Sequence, residues 1–275
     1  QVFGGPPGTN WYQTYIDDGF EIRGMLGQWG HHYPDQINSH EGVDPGYGYE
    51  ALANMTRWDW AQDLFEWFEY YLQERGPKPT LDAQIQRNDG EWRIEETWPP
   101  QDSQPFTLPL SECVNDGAFV GGGPSVVGGG QTVVVECPSI NEDKDLHISG
   151  LPTLHLSAVP TFNGGQVFIE MQDAETGMRI GHATMDVRYY EGGYEPQTVI
   201  PGEQITMLME FQGIDALLPA GHGLRFIFSD QGQDYLAPAC GNVCTVHILP
   251  SLSVFEAPIV DRNGSNVLIT PQIEA

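Results

Sequence analysis

The apolar residues of this chain change their spacing part-way along it. Across residues 50–74, Leu52, Met55, Trp58, Trp60, Leu64, Trp67, Phe68, Tyr71 and Leu72 recur mostly three and four apart, and Gly76-Pro77 ends the run. That period predicts an amphipathic helix whose aromatic side chains belong to a core. Ahead of it, Gly8-Thr9-Asn10-Trp11 reads as the capped start of a short helix, and Glu21–Gly27 as a buried strand ending just before His31. Residues 33–49 are rich in Pro, Gly, Asn and Asp and read as an irregular surface loop. Gln84-Ile85-Gln86, the turn Asn88-Asp89-Gly90 and Glu91-Trp92-Arg93 predict a hairpin, and Trp98-Pro99-Pro100 closes the region.

From about residue 102 onward the period is two. Short strands are predicted at 132–135, 154–159, 166–171, 205–211, 224–228 and 245–249, punctuated by turns such as Asn163-Gly164-Gly165 and Glu191-Gly192-Gly193. Many short strands with Gly and Pro between them describe a β-sandwich or jelly roll. The Gly-rich stretch 119–131 reads as a loop. No Gly-Lys-Ser/Thr follows it, so it is not a phosphate-binding loop.

Composition narrows the choice of partner. Eleven Lys and Arg against 38 Asp and Glu give a net charge of −27. A surface that acidic repels nucleic acid and anionic lipid. The acids are dispersed through patterned segments rather than gathered in a tail, which suits a folded surface adapted to high salt, where charges are screened beyond roughly 3 Å near 1 M. No run of eighteen apolar residues is present, so no membrane span is encoded. The chain opens on Gln1 with no signal-like segment, which points to a processed or incomplete N-terminus.

The four cysteines form two local pairs, Cys113 with Cys137 and Cys240 with Cys244. An even number set in loops suggests two disulfides and an extracellular setting. A zinc site lacks both a Cys-x-x-Cys pair and nearby histidines. His155 and His247 sit within strands, His182 follows a glycine, and His222 opens a strand. None makes a ligand-spaced pair, and the acidic loop 141–145 has no EF-hand spacing, so neither a metal nor another cofactor is expected.

Candidate chemistry comes from Leu26-Gly27-Gln28-Trp29-Gly30-His31-His32-Tyr33-Pro34. This segment resembles the loop presenting the catalytic histidine in X-Pro dipeptidyl-peptidases and cocaine-esterase-like acyl hydrolases, which carry Gly-x-Trp-x-His there. Three further segments are similar to that family in the same order: Leu64–Leu72, the stretch Asp89–Arg93 with Glu96-Thr97-Trp98-Pro99, and Leu217–Ile227 with its Ala220-Gly221-His222. The resemblance implies an α+β chain: the C-terminal part of an α/β-hydrolase domain over residues 1–100, then a jelly-roll β-sandwich over 101–275. It also implies that His31, rather than the adjacent His32, is the general base of a Ser-His-acid triad. The nucleophile is missing, since no Gly-x-Ser-x-Gly occurs and Ser111 and Ser125 lie in the β region. The family's acid would fall near residues 1–5, where none stands. The resemblance therefore implies a partner, an N-terminal hydrolase part or separate chain supplying serine and acid. The alternative is a secreted, non-catalytic module of the same descent that binds or assembles with itself.

Overall fold

The computed structural model describes residues 10–27, 59–115, 125–128, 131–140, 142–232, 243–262 and 267–268. The first region holds helix α1 (Asn10–Asp17), strand β1 (Gly24–Leu26), helix α2 (Trp60–Gln73) and strands β2 (Ala83–Gln86) and β3 (Trp92–Glu95). β1 and β2 run parallel, with Leu26 opposite Ile85. Parallel neighbours need a crossover between them, and α2 lies on that crossover, making a βαβ unit. β2 and β3 form the antiparallel hairpin that the Asn88-Asp89-Gly90 turn predicts. The strand nearest the C-terminus, β17 (Val267–Leu268), returns to pair with β3. The resulting sheet has the order β1-β2-β3-β17.

Helix α2 departs from expectation. Its periodicity predicts core aromatics, yet none of its fourteen residues is buried. Ala61, Leu64, Phe65, Phe68 and Leu72 form a continuous stripe at helical spacing that faces solvent. Trp67, Tyr70 and Tyr71 are half-buried, and Tyr71 donates to Glu21 Oε2 at 2.7 Å. The helix is apolar on two sides, and what is described of the chain covers one of them.

The second region is a sandwich. One sheet has the order β11-β10-β14-β7-β5, from Arg179–Asp186, Gln166–Asp173, Leu224–Ser229, Val133–Cys137 and Val114–Asn115. The other runs β13-β8-β16-β9-β15-β6, from Ile214–Leu218, Leu146–Gly150, Val254–Ile259, Thr153–Pro160, Val246–Ile248 and Ser125–Val127. β12 (Ile205–Glu210) adds to β9, and β4 (Gln104–Pro109) to β16. Alternation along β7 and β14 sends Val133, Val135, Leu224, Phe226 and Phe228 inward. There they meet Ile148, Leu154, Leu156, Ile169, Met171 and Met207 in one core. Phe255 packs between Phe226 and Phe211, with ring centroids 5.2 and 5.9 Å away.

Two sequence readings change here. Ser125–Val127 lies inside the glycine-rich stretch expected to be a loop, but pairs with β15 because Val246–Ile248 offers it a backbone edge. β8 (Leu-His-Ile-Ser-Gly) is buried at all five positions and carries no alternation to read. At its end, Gly150 has φ +139, and a Cβ there would lie 2.6 Å from Pro258 Cγ and 3.2 Å from Pro99 Cβ. Only glycine fits that close approach.

Candidate functional site

Of the residues singled out from the sequence, His31 and Cys240 lie outside the described residues. The structure joins Cys113 to Cys137, which ties the end of β7 to the strand-edge segment before β5. Cys244 is disulfide-bonded as well. The structure does describe the strand that precedes His31 in the sequence. β1 ends at Leu26, five residues earlier in the chain, at the C-terminal end of a parallel strand. In α/β sheets that end is where functional side chains gather.

The most heavily engineered polar site lies where the first sheet meets the sandwich. Arg93 on β3 is buried and donates to Asp215 on β13 through both Nε (3.1 Å to Oδ2) and Nη2 (2.6 Å to Oδ1). Its Nη2 also donates to Ser149 Oγ at 2.7 Å. His147 Nε2 lies 2.9 Å from Asp215 Oδ1. On the other side Arg93 pairs with Glu95, which takes Arg262 Nε at 2.7 Å, and Arg262 continues to Asp102 at 2.6 Å. Burial alone would push the Asp215 carboxyl up. The hydrogen bond from His147 and the bonds and charge of Arg93 outweigh it and hold the pKa below 3.8. Burial of the pair is offset by its geometry, a bidentate fork with His147 on one of the two carboxylate oxygens.

Ser149, His147 and Asp215 are the residue types of a triad, but they are not arranged as one. Ser149 Oγ accepts from Arg93 rather than bonding His147, and all three are closed from solvent. No carbonyl could reach the serine, and the cluster serves to hold strands together. Neither Arg93 nor Asp215 stands out as a site residue in the sequence reading. The available signal was a charged residue inside an apolar strand, Ile214-Asp215-Ala216-Leu217-Leu218, matched by an arginine beside a buried tryptophan.

A second cluster sits at the mouth of β10 and β14. Asp173, Glu175 and His222 bring three ligand-type atoms within 4.8 Å of one another. Each has work already: Asp173 takes His222 Nδ1 at 2.9 Å and the Glu175 and Thr176 amides, while Glu175 Oε2 takes the Gly223 amide at 2.7 Å. The cluster closes the turn after β10 against the Gly221-His222-Gly223 segment. Sequence spacing could not show it, because 49 residues separate Asp173 from His222.

Comparison with known proteins places this geometry. The family model described as "X-Pro dipeptidyl-peptidase C-terminal non-catalytic domain" matches residues 139–242. An aminopeptidase from a marine sediment archaeon (Thaumarchaeota archaeon) superposes with a TM-score of 0.63 at 12% identity, over 94% of this chain and 53% of that one. An α-amino acid ester hydrolase gives 0.61 at 15% identity over 92% and 52%. A CocE/NonD family hydrolase from Staphylococcus aureus gives 0.52 at 12% identity over 73% and 46%. The chain thus spans about half the length of these structures, and at such identities the likeness is one of fold. Comparison with curated proteins gives no match. Within the sandwich, residues 139–242 are thus similar to the X-Pro dipeptidyl-peptidase C-terminal non-catalytic domain, and the surrounding fold is shared with the hydrolase structures above.

Proposed function

We propose that this chain is the C-terminal portion of a serine hydrolase of the X-Pro dipeptidyl-peptidase and acyl-esterase class, with His31 as general base. Residues 1–100 complete the α/β-hydrolase domain and residues 101–275 form its non-catalytic companion. The partner is an N-terminal hydrolase segment that supplies the nucleophilic serine and the acid. The observation that carries this reading is the unfinished state of the βαβ unit. Among the described residues, β1 stands at the end of its sheet with no strand on its far edge. α2 meanwhile leaves Leu64, Phe65, Phe68 and Leu72 open. Parallel strands are stable where both faces of their sheet are covered, so the open edge of β1 and the open face of α2 suit the rest of such a sheet.

Within that assembly the chemistry is acyl transfer. A serine of the partner segment attacks the carbonyl while the imidazole of His31 takes the hydroxyl proton and later returns it to the leaving group. The setting we propose is extracellular and salty. The Cys113–Cys137 disulfide favours an oxidising compartment. Among the described residues eight basic side chains stand in ion pairs, and the whole chain holds only eleven Lys and Arg against 38 Asp and Glu. Raising salt from about 0.1 M to about 2 M should therefore raise the melting temperature by several degrees, whereas equal osmolality of sucrose should not reproduce the whole gain.

The deciding experiment is intact-mass and peptide mapping of whatever copurifies with the chain from its source. A companion bearing Gly-x-Ser-x-Gly and an acid supports the proposal. His31→Ala should then lower hydrolysis of acyl esters and X-Pro amides by roughly 10⁴-fold or more, with folding intact. Particles built of this chain alone would reject it in favour of an assembling, non-catalytic module.

A further inference from the structure

The junction between the first sheet and the sandwich does more than bury charge. β13 is the last strand of its sheet, and its outward edge is occupied by Asn88 from the β2–β3 turn. The Asn88 amide donates to Asp215 O at 3.0 Å. Its side chain then accepts from Leu217 N at 2.9 Å and donates to Leu217 O at 3.1 Å. One buried asparagine thereby mimics a neighbouring strand and closes the sheet edge. Five residues on, Arg93 reaches the same strand through its fork on Asp215.

These two anchors sit on the sheet that ends at β1. The register places Leu26 opposite Ile85, Ile85 opposite Arg93, and Arg93 opposite Val267, in one row across four strands. At about 4.8 Å per strand, the last residue of β1 lies roughly 10 Å from the residue that the sandwich grips. From Leu26 the chain goes on to His31.

We infer that Asn88 and Arg93 are positioning residues through which the jelly roll holds the end of β1, the strand that precedes His31 in the sequence. The inference rests on the proposed role of His31, but its first test does not depend on catalysis. In the full chain, amide hydrogen exchange is followed by mass spectrometry in Asn88→Ala and in Arg93→Lys. The lysine variant keeps the charge and loses the fork. The expected result is exchange roughly tenfold faster in peptides covering Gly24–Leu26 and Ala83–Gln86, with Gln166–Asp173 and Leu224–Ser229 unchanged. Should Asn88→Ala not fold, Asn88→Asp keeps the acceptor for the Leu217 amide and sets a charged acceptor in place of the donor to Leu217 O. In the proposed hydrolase reconstituted with its serine-bearing partner, the same variants should lower kcat more than they change KM, the split expected of a positioning effect.

Unchanged exchange at Gly24–Leu26, or acceleration spread evenly over every strand, would overturn the inference, since a purely stabilising contact acts on the whole fold. If exchange shifts locally but His31→Ala costs no activity, the proposed function falls while the coupling of the sandwich to β1 stands.

Discussion

Phe211, Phe226, Phe228 and Phe255 in the sandwich are closed from solvent, whereas Leu64, Phe65, Phe68 and Leu72 of helix α2 lie open to it. Both groups come from strongly patterned segments of one chain. The sandwich brings two apolar sheet faces together and satisfies each with the other. The βαβ unit has one parallel strand pair and one crossover helix, too little surface to cover both faces of either. A sequence pattern states that a face must be buried; it does not state which part of a protein, or which protein, buries it.

That contrast can be broken in several ways. Phe255→Ala should have the largest effect, removing a ring that packs on two others and lowering stability by about 3–5 kcal/mol in urea unfolding. Arg93→Ala should come next. It leaves the Asp215 carboxylate buried without its fork and costs about 3 kcal/mol, most of which Arg93→Met with Asp215→Leu should restore. Replacing Cys113 and Cys137 by serine reopens a link between residues 24 apart and should lower stability by about 3 kcal/mol on the chain-entropy account. Acid should act through the same junction. Asp215 and Asp173 hold their carboxyls below the 3.8 of an unfolded chain, burial being overcome by hydrogen bonds, from His147 and Arg93 on Asp215 and from His222 and Thr176 on Asp173. The unfolded state then binds more protons, so this stabilisation is complete above that value and is lost as pH falls below it. The urea midpoint should drop below pH 4, and less steeply in Asp215→Asn. The smallest change should be Phe68→Ser with Leu72→Ser, within about 0.5 kcal/mol for this chain by itself. If the proposed hydrolase assembly forms, the same pair should weaken association at least tenfold, measured by titrating one part with the other.

How far the sequence was legible follows from the range of the interactions involved. The β2–β3 hairpin could be read because a turn signal and its strands lie within a dozen residues. The alternating strands β9, β10, β12 and β14 could be read because each displays its two faces to two different environments. β8 could not, since a strand buried on both sides has no alternation, and β6 could not, since its glycine-rich flanks look like loop until β15 lies beside it. The family segments pointed to His31 through local spelling alone. They could not reveal the junction, whose members stand 122 residues apart in Arg93 and Asp215 and 129 apart in Asn88 and Leu217.

By itself, then, the sequence determined the two-part architecture, the β-rich C-terminal region, the acidic surface and the absence of its own serine elbow, because each is written in local composition or short-range period. Tertiary structure alone decided which apolar face of α2 stays open, that the Ser149, His147 and Asp215 cluster is a closed ionic joint rather than a triad, and that the sandwich grips the sheet leading to His31. These depend on desolvation and on hydrogen-bond geometry between residues far apart in the chain, and such energies exist only once the fold has brought the partners within a few ångströms.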